Sequence, residues 1–213
     1  MLSAGCTYIV RKSEQQLYEA EGVDVIAVED DKINSLGKVR QWIIDNAKED
    51  VVIQIDDDVE KLSYMFKQST VYLTESQVID ELMRISQILI DLELGFASLS
   101  MNPDPRRHVS EFLWKAITGG ICWFNKKALR GRYEQSLMKV DADFMMQEIL
   151  YNRICIVPDY LCLYAKHDTN KGGNNTNKDY VRLVENNSYL KSKWGRYYDF
   201  DYKTNKTKIL VKR

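Results

Sequence analysis

Glycine, proline and long hydrophobic runs are all scarce in this chain. Its 213 residues include 10 glycines and 3 prolines, which indicates a compact domain without long flexible linkers. A helix that crosses a bilayer needs about 18 to 20 consecutive apolar residues, and no run in the sequence approaches that length. The first residues also lack the basic and apolar regions of a signal peptide. We therefore expect a cytoplasmic protein with no membrane partner.

Paired cysteines are missing as well. The four cysteines, Cys6, Cys122, Cys155 and Cys162, lie far apart, and none belongs to a C-x-x-C motif. Three of them fall in apolar, strand-like segments. This pattern favours buried free thiols in a reducing compartment over disulfides or a zinc site.

Charge is nearly balanced over the whole chain but is unevenly distributed. The net charge is −1, yet residues 166–213 contain 12 basic and 5 acidic residues, a net of +7. Residues 1–165 therefore carry a net charge of −8. A basic tail on an acidic body suggests a polyanionic partner that contacts one face. A solvated surface with uneven charge explains the same numbers.

Hydrophobic periodicity predicts strands that alternate with helices, and a hydrophobic fraction of 45% is enough for a sizeable core. Strands are predicted at 7–11, 23–31, 51–55, 96–101, 119–124, 154–165 and 207–213. Helices are predicted at 35–50, 74–94, 141–152 and 177–194, with N-caps at Ser35 and Thr74. The second helix carries one apolar stripe: Val78, Leu82, Ile85, Leu89 and Leu92. This order of strands and helices implies an α/β fold with a parallel sheet. We divide the single domain into a core, 1–176, and a basic, aromatic helix and strand packed on it, 177–213.

Three consecutive aspartates, Asp56, Asp57 and Asp58, follow the predicted strand 51–55. Adjacent like charges cost free energy unless a positive group lies among them. Alternation along the chain directs Asp56 and Asp58 to one face and Asp57 to the other. Ligands of open α/β sheets bind at the carboxyl ends of strands, and carboxylates suit Mg²⁺ or Mn²⁺. The pattern predicts a divalent-metal site that bridges to a diphosphate, and a solvated turn is the alternative.

The order of these elements resembles that of the GT-A glycosyltransferases, which transfer a sugar from a nucleotide sugar. In that family a first strand ends near a basic residue, here Arg11, and a second ends in acids that bind the nucleoside, here Asp30. The next helix carries a glycine and basic residues, matched in "SLGKVRQWI" by Gly37, Lys38 and Arg40. The resemblance implies a Rossmann-like mixed, mostly parallel sheet flanked by helices, with these five residues binding a donor for which a UDP-sugar is favoured.

The later motifs of that family are matched in part. The D-x-D motif corresponds to Asp56 and Asp58 as metal ligands, with Asp57 counted among the donor-binding residues. A glycine-rich strand then precedes a helix that begins with acids, often E-D-x-D, but here Val140 replaces the first acid. The resemblance implies that Asp141 is the catalytic base of an inverting reaction and that Asp143 supports it. Acids that only cap a helix fit this spacing equally well.

A second group of candidate residues lies in "KHDTNKGGN". Imidazole is a common ligand of Mn²⁺-class metals, and a late histidine completes the metal site of many GT-A enzymes, which implies His167 as the third ligand. Lys171, Gly172 and Gly173 are placed to contact phosphates through backbone N–H groups and a cation. A solvated or structural histidine is the alternative.

The acceptor is suggested by the basic regions. A predicted loop, 102–112, carries Arg106, Arg107 and His108. The C-terminal segment mixes basic residues with six aromatic ones: Tyr189, Trp194, Tyr197, Tyr198, Phe200 and Tyr202. They are suited either to stacking on nucleobases or to packing on the sheet. The whole arrangement resembles the phage glycosyltransferases that modify hydroxymethylpyrimidines in DNA, which are related to the base J enzymes. This resemblance implies as acceptor a base that is flipped out of a duplex or presented single-stranded, and a phage-infected bacterial cytosol as location.

Three other functions remain open. The first is the same donor chemistry with a saccharide, lipid or protein acceptor. The second is a nucleotidyltransferase, although the segment after the first strand has no glycine for a phosphate loop. The third is a binding module without catalysis. The sequence leaves the sugar, the nucleotide, the stereochemical outcome and the oligomeric state undetermined.

Overall fold

The computed structural model describes residues 5–66, 69–99, 106, 108, 110–115, 119–133, 138–165 and 180–212. The described helices are α1 (Gln15–Glu19), α2 (Leu36–Asn46), α3 (Glu75–Asp91), α4 (Val140–Tyr151) and α5 (Tyr180–Trp194). The described strands are β1 (Thr7–Arg11), β2 (Asp24–Val28), β3 (Val51–Ile55), β4 (Val59–Phe66), β5 (Ser69–Tyr72), β6 (Phe96–Ser98), β7 (Phe112–Leu113), β8 (Ile121–Asn125), β9 (Val157–Pro158), β10 (Leu161–Ala165), β11 (Tyr198–Asp201) and β12 (Lys206–Ile209).

The chain is an α/β fold, but its strand pairings are mostly antiparallel. The described strands form five small sheets, ordered β1-β2, β3-β8-β6, β10-β4-β5, β7-β9 and β11-β12. Of these strand pairs, only β1 and β2 are parallel. The expectation of a mostly parallel sheet is therefore wrong. Parallel neighbours need a crossover of a dozen or more residues, as between β1 and β2, whereas β4 and β5 are two residues apart and pair as a hairpin.

Two helices begin and pack as the sequence predicts. Ser35 accepts a hydrogen bond from the backbone N–H of Lys38 at 3.4 Å and caps α2. Thr74 and Gln77 form a reciprocal capping box at the start of α3. Four residues of the predicted apolar stripe of α3 are buried: Val78, Leu82, Ile85 and Leu89. Both N-caps are confirmed, because they depend on local sequence, and the stripe is confirmed except at Leu92, which follows the last residue of α3 and is exposed.

The sheet β3-β8-β6 lies between two layers of helices. Strand β8 is buried along its whole length, and its side chains alternate between the two faces. Cys122 and Phe124 pack with α2 and α4, and Ile121 and Trp123 pack with α3 and with residues of β4 and β10. The indole N–H of Trp123 donates to the carbonyl of Leu82 at 3.0 Å. This layering brings the end of β3, the middle of α2 and the start of α4 together.

The C-terminal helix and hairpin pack on α4. Leu190, Tyr198 and Phe200 form a small core with Ala142 of α4. Trp194 is half-buried and contacts the same core. Among the C-terminal aromatics, packing therefore accounts for Trp194, Tyr198 and Phe200, while Tyr189 and Tyr202 are exposed.

Two simpler expectations concern the thiols and the membrane. All four cysteines are free, and Cys122, Cys155 and Cys162 are buried, so the prediction of buried free thiols is confirmed for these three. None of the described helices combines the length and the apolar composition that a bilayer crossing requires.

Candidate functional site

The turn of aspartates begins where β3 meets the start of β8. The backbone N–H of Asp56 donates to the carbonyl of Gly120 at 2.7 Å. The N–H of Gly120 donates in return to Oδ2 of Asp56 at 3.2 Å. Gly120 has a φ of +85°, a conformation that favours glycine. These contacts fix the Asp56 carboxylate at the carboxyl end of β3.

A buried arginine of α2 joins Asp56 to the start of α4. The side chain of Arg40 is only 5% exposed. Its Nη2 donates to Oδ1 and Oδ2 of Asp56 at 3.1 and 3.0 Å. Its Nη1 lies 3.2 Å from Oδ1 of Asp141 and 3.5 Å from the hydroxyl of Tyr133. We call Arg40, Asp56, Asp58 and Asp141 the acidic cluster. The structure thus places Arg40 in contact with protein carboxylates.

The acidic cluster contains more negative charge than its arginine offsets. Burial raises the pKa of Asp56; Arg40 lowers it, but Asp141 and Asp58 raise it again, and the net shift is upward. Burial alone would lower the pKa of Arg40, but Asp141, Tyr133 and Asp56 reverse this and raise it well above its ordinary value. Two carboxylates contact one guanidinium, and Asp58 adds a third negative charge near Asp56, so a further cation would lower the electrostatic free energy of the cluster.

The three aspartates differ in exposure as the alternation predicts. Asp57 is exposed, whereas Asp56 and Asp58 are half-buried. The charge of Asp57 adds to burial in raising the pKa of Tyr18 on α1. The aspartate turn therefore lies near the segment that follows β1.

The predicted metal site is only partly within the described residues. No group of three or more His, Cys, Asp or Glu side chains in the described part of the chain is arranged to hold a metal ion. His167, Lys171, Gly172 and Gly173 lie outside the described residues.

The two aspartates at the start of α4 point in different directions. Residues two apart on a helix do not share a face. The side chain of Asp141 is 35% exposed and lies in the acidic cluster. Asp143 is 1% exposed and accepts hydrogen bonds from Trp194 Nε1 at 2.7 Å and Lys193 Nζ at 3.0 Å. The structure does not bring Asp143 to the cluster; it anchors α5 to α4 instead.

The predicted donor-binding residues of the first two strands lie together at one sheet edge. Arg11 and Val28 are paired at the carboxyl ends of β1 and β2. Asp30 accepts hydrogen bonds from the backbone N–H and the hydroxyl of Ser13 at 3.1 and 2.6 Å. These bonds lower the pKa of Asp30, and the charge of Arg11 adds to the shift. Arg11 and Asp30 are exposed.

Gly37 and Lys38 occupy the first turn of α2, one turn before Arg40. Gly37 is buried, and the Nζ of Lys38 donates to the carbonyl of Asp31 at 3.2 Å. Two further residues that contact Arg40, Tyr133 and Cys122, were not predicted from the sequence. The distance from Nη1 of Arg40 to Sγ of Cys122 is 3.8 Å. Tyr133 belongs to no motif, and Cys122 is one of the apolar residues of the glycine-rich strand, so no sequence signal identifies either as a contact of Arg40.

Two clefts lie among other described residues. One, of about 390 Å³, is lined by six residues: Tyr64, Met65, Phe66, Val71, His108 and Tyr160. The other, of about 610 Å³, is lined by seven residues: Leu150, Arg153, Arg196, Tyr197, Leu210, Val211 and Lys212. Neither includes a residue of the acidic cluster.

Comparison with protein-family models, curated proteins and solved structures finds no match to this chain.

Proposed function

We propose that the chain is a metal-dependent glycosyltransferase that uses a nucleoside-diphosphate sugar, with a UDP-sugar favoured. One observation carries this proposal. Arg40 contacts both Asp56, at the end of β3, and Asp141, at the start of α4. The D-x-D sequence and the later helical acid, which the GT-A resemblance pairs in function, therefore lie in one cluster.

The two metal ligands that we assign have side chains of the type that Mn²⁺ or Mg²⁺ accepts in proteins. Both oxygens of Asp56 already accept from Arg40, so we assign Asp56 a positioning role. Asp58 is the carboxylate that we assign to the metal, together with His167. Oδ1 of Asp141 is paired with Arg40 at 3.2 Å, so Asp141 too is held by the arginine. A bound Mn²⁺ or Mg²⁺ would supply positive charge for the leaving diphosphate.

Asp141 is the group best placed to accept a proton. Its side chain is partly exposed, and Arg40 fixes its orientation at 3.2 Å. In the proposed reaction the acceptor oxygen bonds to the anomeric carbon, and its proton passes to Asp141. The bond from that carbon to the diphosphate breaks, and its electron pair leaves with the diphosphate. Asp143 has no part in this step, because its carboxylate is engaged by α5.

The proposal rests on the cluster and not on sheet topology. The parallel pair β1-β2 agrees with the order of elements in GT-A enzymes. The antiparallel pairing of the remaining described strands adds no support. Arg11 and Asp30, at the carboxyl ends of that pair, are the residues we assign to the nucleoside.

The acceptor we favour is the hydroxymethyl group of a modified pyrimidine in DNA. The support is electrostatic: residues 166–213 carry a net charge of +7, whereas the rest of the chain is acidic. A basic surface lowers the free energy of binding to a phosphate backbone. A base in a duplex must leave the stack before its hydroxymethyl group can reach the anomeric carbon of the sugar.

Calorimetric titration of UDP, with and without Mn²⁺, tests the donor site. We expect metal-dependent binding to the wild type and its loss in Asp58→Asn. Asp50→Asn is the matched control, because Asp50 lies just before β3, at its opposite end, and pairs with Lys127 on the surface. Absence of binding for UDP and for every other nucleoside diphosphate would overturn the proposal.

Transfer of radiolabelled sugar tests the acceptor. Duplex oligonucleotides with hydroxymethylcytosine or hydroxymethyluracil are compared with unmodified DNA and with saccharides. Labelling of modified DNA alone is the expected result. Donor binding combined with labelling of a saccharide, lipid or protein would show the alternative acceptor class.

A further inference from the structure

The cleft of about 610 Å³ lies at the far end of α4 from the acidic cluster. It is formed where the C-terminal end of α4 meets the segment around β11 and β12. Arg153 comes from the turn after α4, Arg196 from the turn before β11, and Lys212 from the residues after β12. Three separate segments of the chain therefore contribute a cation to one cleft.

Charge in this cleft has a single sign. None of its seven described lining residues is acidic. Arg153, Arg196 and Lys212 are all exposed. The guanidinium of Arg196 lies 5.0 Å from the ring centre of Tyr197 and donates to its hydroxyl at 3.0 Å. A fourth cation, Lys115, donates to the carbonyl of Val211 beside the cleft.

Grouped cations on a body that is otherwise acidic favour an anionic ligand. Arginine binds phosphate with several N–H donors in one plane. A nucleic-acid backbone presents such phosphates at regular spacing, and its affinity rises with each counterion that is released.

Helix α4 runs from Asp141, near its first residue, to Leu150 at the cleft. The helix has 12 residues, and a rise of about 1.5 Å per residue gives about 18 Å. Duplex DNA advances about 3.4 Å per base pair. A duplex aligned with α4 would therefore place the cleft about five base pairs from a base that is presented to Asp141.

We propose that Arg153, Arg196 and Lys212 bind the phosphate backbone of duplex DNA about five base pairs from the modified base. This inference rests on the proposed function for the position of that base. The phosphate contact itself rests on the cleft alone. The two parts therefore have separate tests.

The first test measures the binding of an unmodified duplex of about 20 base pairs at several salt concentrations. The variant Arg196→Gln/Lys212→Gln is compared with Arg84→Gln/Lys61→Gln, which removes the same charges from α3 and β4. We expect the cleft variant to lower the slope of log K against log salt by about 2, since each lost phosphate contact removes about 0.9. Thermal unfolding of both variants verifies that they fold.

An unchanged slope in the folded cleft variant would overturn the inference. Equal slope changes in the two variants would also overturn it, because they would show a diffuse electrostatic effect. Arg153→Gln is a third variant with its own expected reduction of about 0.9.

The second test varies the flanks of the modified base in the transfer assay. Flanks of about three and about eight base pairs are compared on each side. In the wild type, we expect less sugar transfer when the flank on one side is short. In Arg196→Gln/Lys212→Gln, shortening that flank should have little further effect on transfer. Sugar transfer that does not change with the length of either flank would overturn the inference and leave the proposed function intact. A salt slope that depends on the cleft, without any sugar transfer, would overturn the proposed function and leave the phosphate contact intact.

Discussion

Nη1 of Arg40 lies 3.2 Å from Oδ1 of Asp141, and the same guanidinium holds Asp56 through Nη2. Arg40 thereby connects α2, β3 and α4 at a point that is only 5% exposed. A buried ion pair adds little to stability when complete, but removal of one partner leaves the others uncompensated.

Arg40→Met should therefore be strongly destabilising. We expect the free energy of unfolding in urea to fall by about 3 to 5 kcal/mol, because two carboxylates lose their cation. Arg132→Met is the control, since Arg132 is 67% exposed and pairs with Asp45. Its cost should be about 0 to 1 kcal/mol. Equal costs for the two variants would show that the Arg40 contacts are not structural.

Asp143→Ala should weaken the attachment of α5 to α4. The change leaves the ammonium of Lys193 and the indole N–H of Trp194 without their buried acceptor. A loss of about 3 to 5 kcal/mol in the free energy of unfolding is expected. Asp199→Ala removes an exposed carboxylate that pairs with Lys191 at 3.6 Å. This control should cost less than about 1 kcal/mol, and a similar loss in both variants would contradict the anchoring role.

Gly95 has no room for a side chain. A Cβ there would lie 2.8 Å from Cα of Leu129 and 2.8 Å from Oε2 of Glu148. Because the backbone of Leu129 cannot rotate away, Gly95→Ala should cost about 1 to 3 kcal/mol in thermal or urea unfolding. Gly119→Ala is the control, since its Cβ would meet no atom within 4 Å. An unchanged stability of Gly95→Ala would show that this close approach relaxes freely.

Stability should fall in alkaline solution through Cys122. Burial raises the pKa of this thiol from 9.0 to about 11; Arg40 lowers it in part, and Asp141 raises it. The folded state therefore keeps the proton between pH 9 and 11 while the unfolded state loses it. Stability from this group is complete below pH 9 and is lost as the pH rises through about 11.

Comparison with Cys122→Ala isolates that effect. The difference in unfolding free energy between wild type and variant should shrink by about 3 kcal/mol from pH 9 to above pH 11. Urea unfolding at a series of pH values measures it. A constant difference over this range would mean that the thiol is not protected from ionisation.

Much of the local structure could be predicted from particular residues. Ser35 and Thr74 mark helix starts because their side chains accept from N–H groups three residues on. The positions of Asp56 and Asp58 relative to Asp57 follow from the alternation of side chains after a strand. Buried Cys122, Cys155 and Cys162 follow from their apolar neighbours.

The short elements could not be predicted in the same way. The predicted strand 154–165 is interrupted between β9 and β10. There the buried Asp159 donates its backbone N–H to the backbone carbonyl of Glu111 and not to a neighbouring strand of β10. The hairpin of β4 and β5 carries no strong turn signal. The site was predicted in part. Asp56 and Asp141 both contact Arg40, whereas Asp143 contacts Lys193 of α5.

The sequence alone determined where α2 and α3 begin, which face of α3 is buried, and that acids follow β3. These features depend on hydrogen bonds and periodicities within a few residues of the chain. Only the tertiary structure decided that most strands pair antiparallel, that Arg40 contacts protein carboxylates and that Asp143 binds α5. Those outcomes depend on which distant segments are buried together, because a charged side chain removed from water must find its partner wherever the packing provides one.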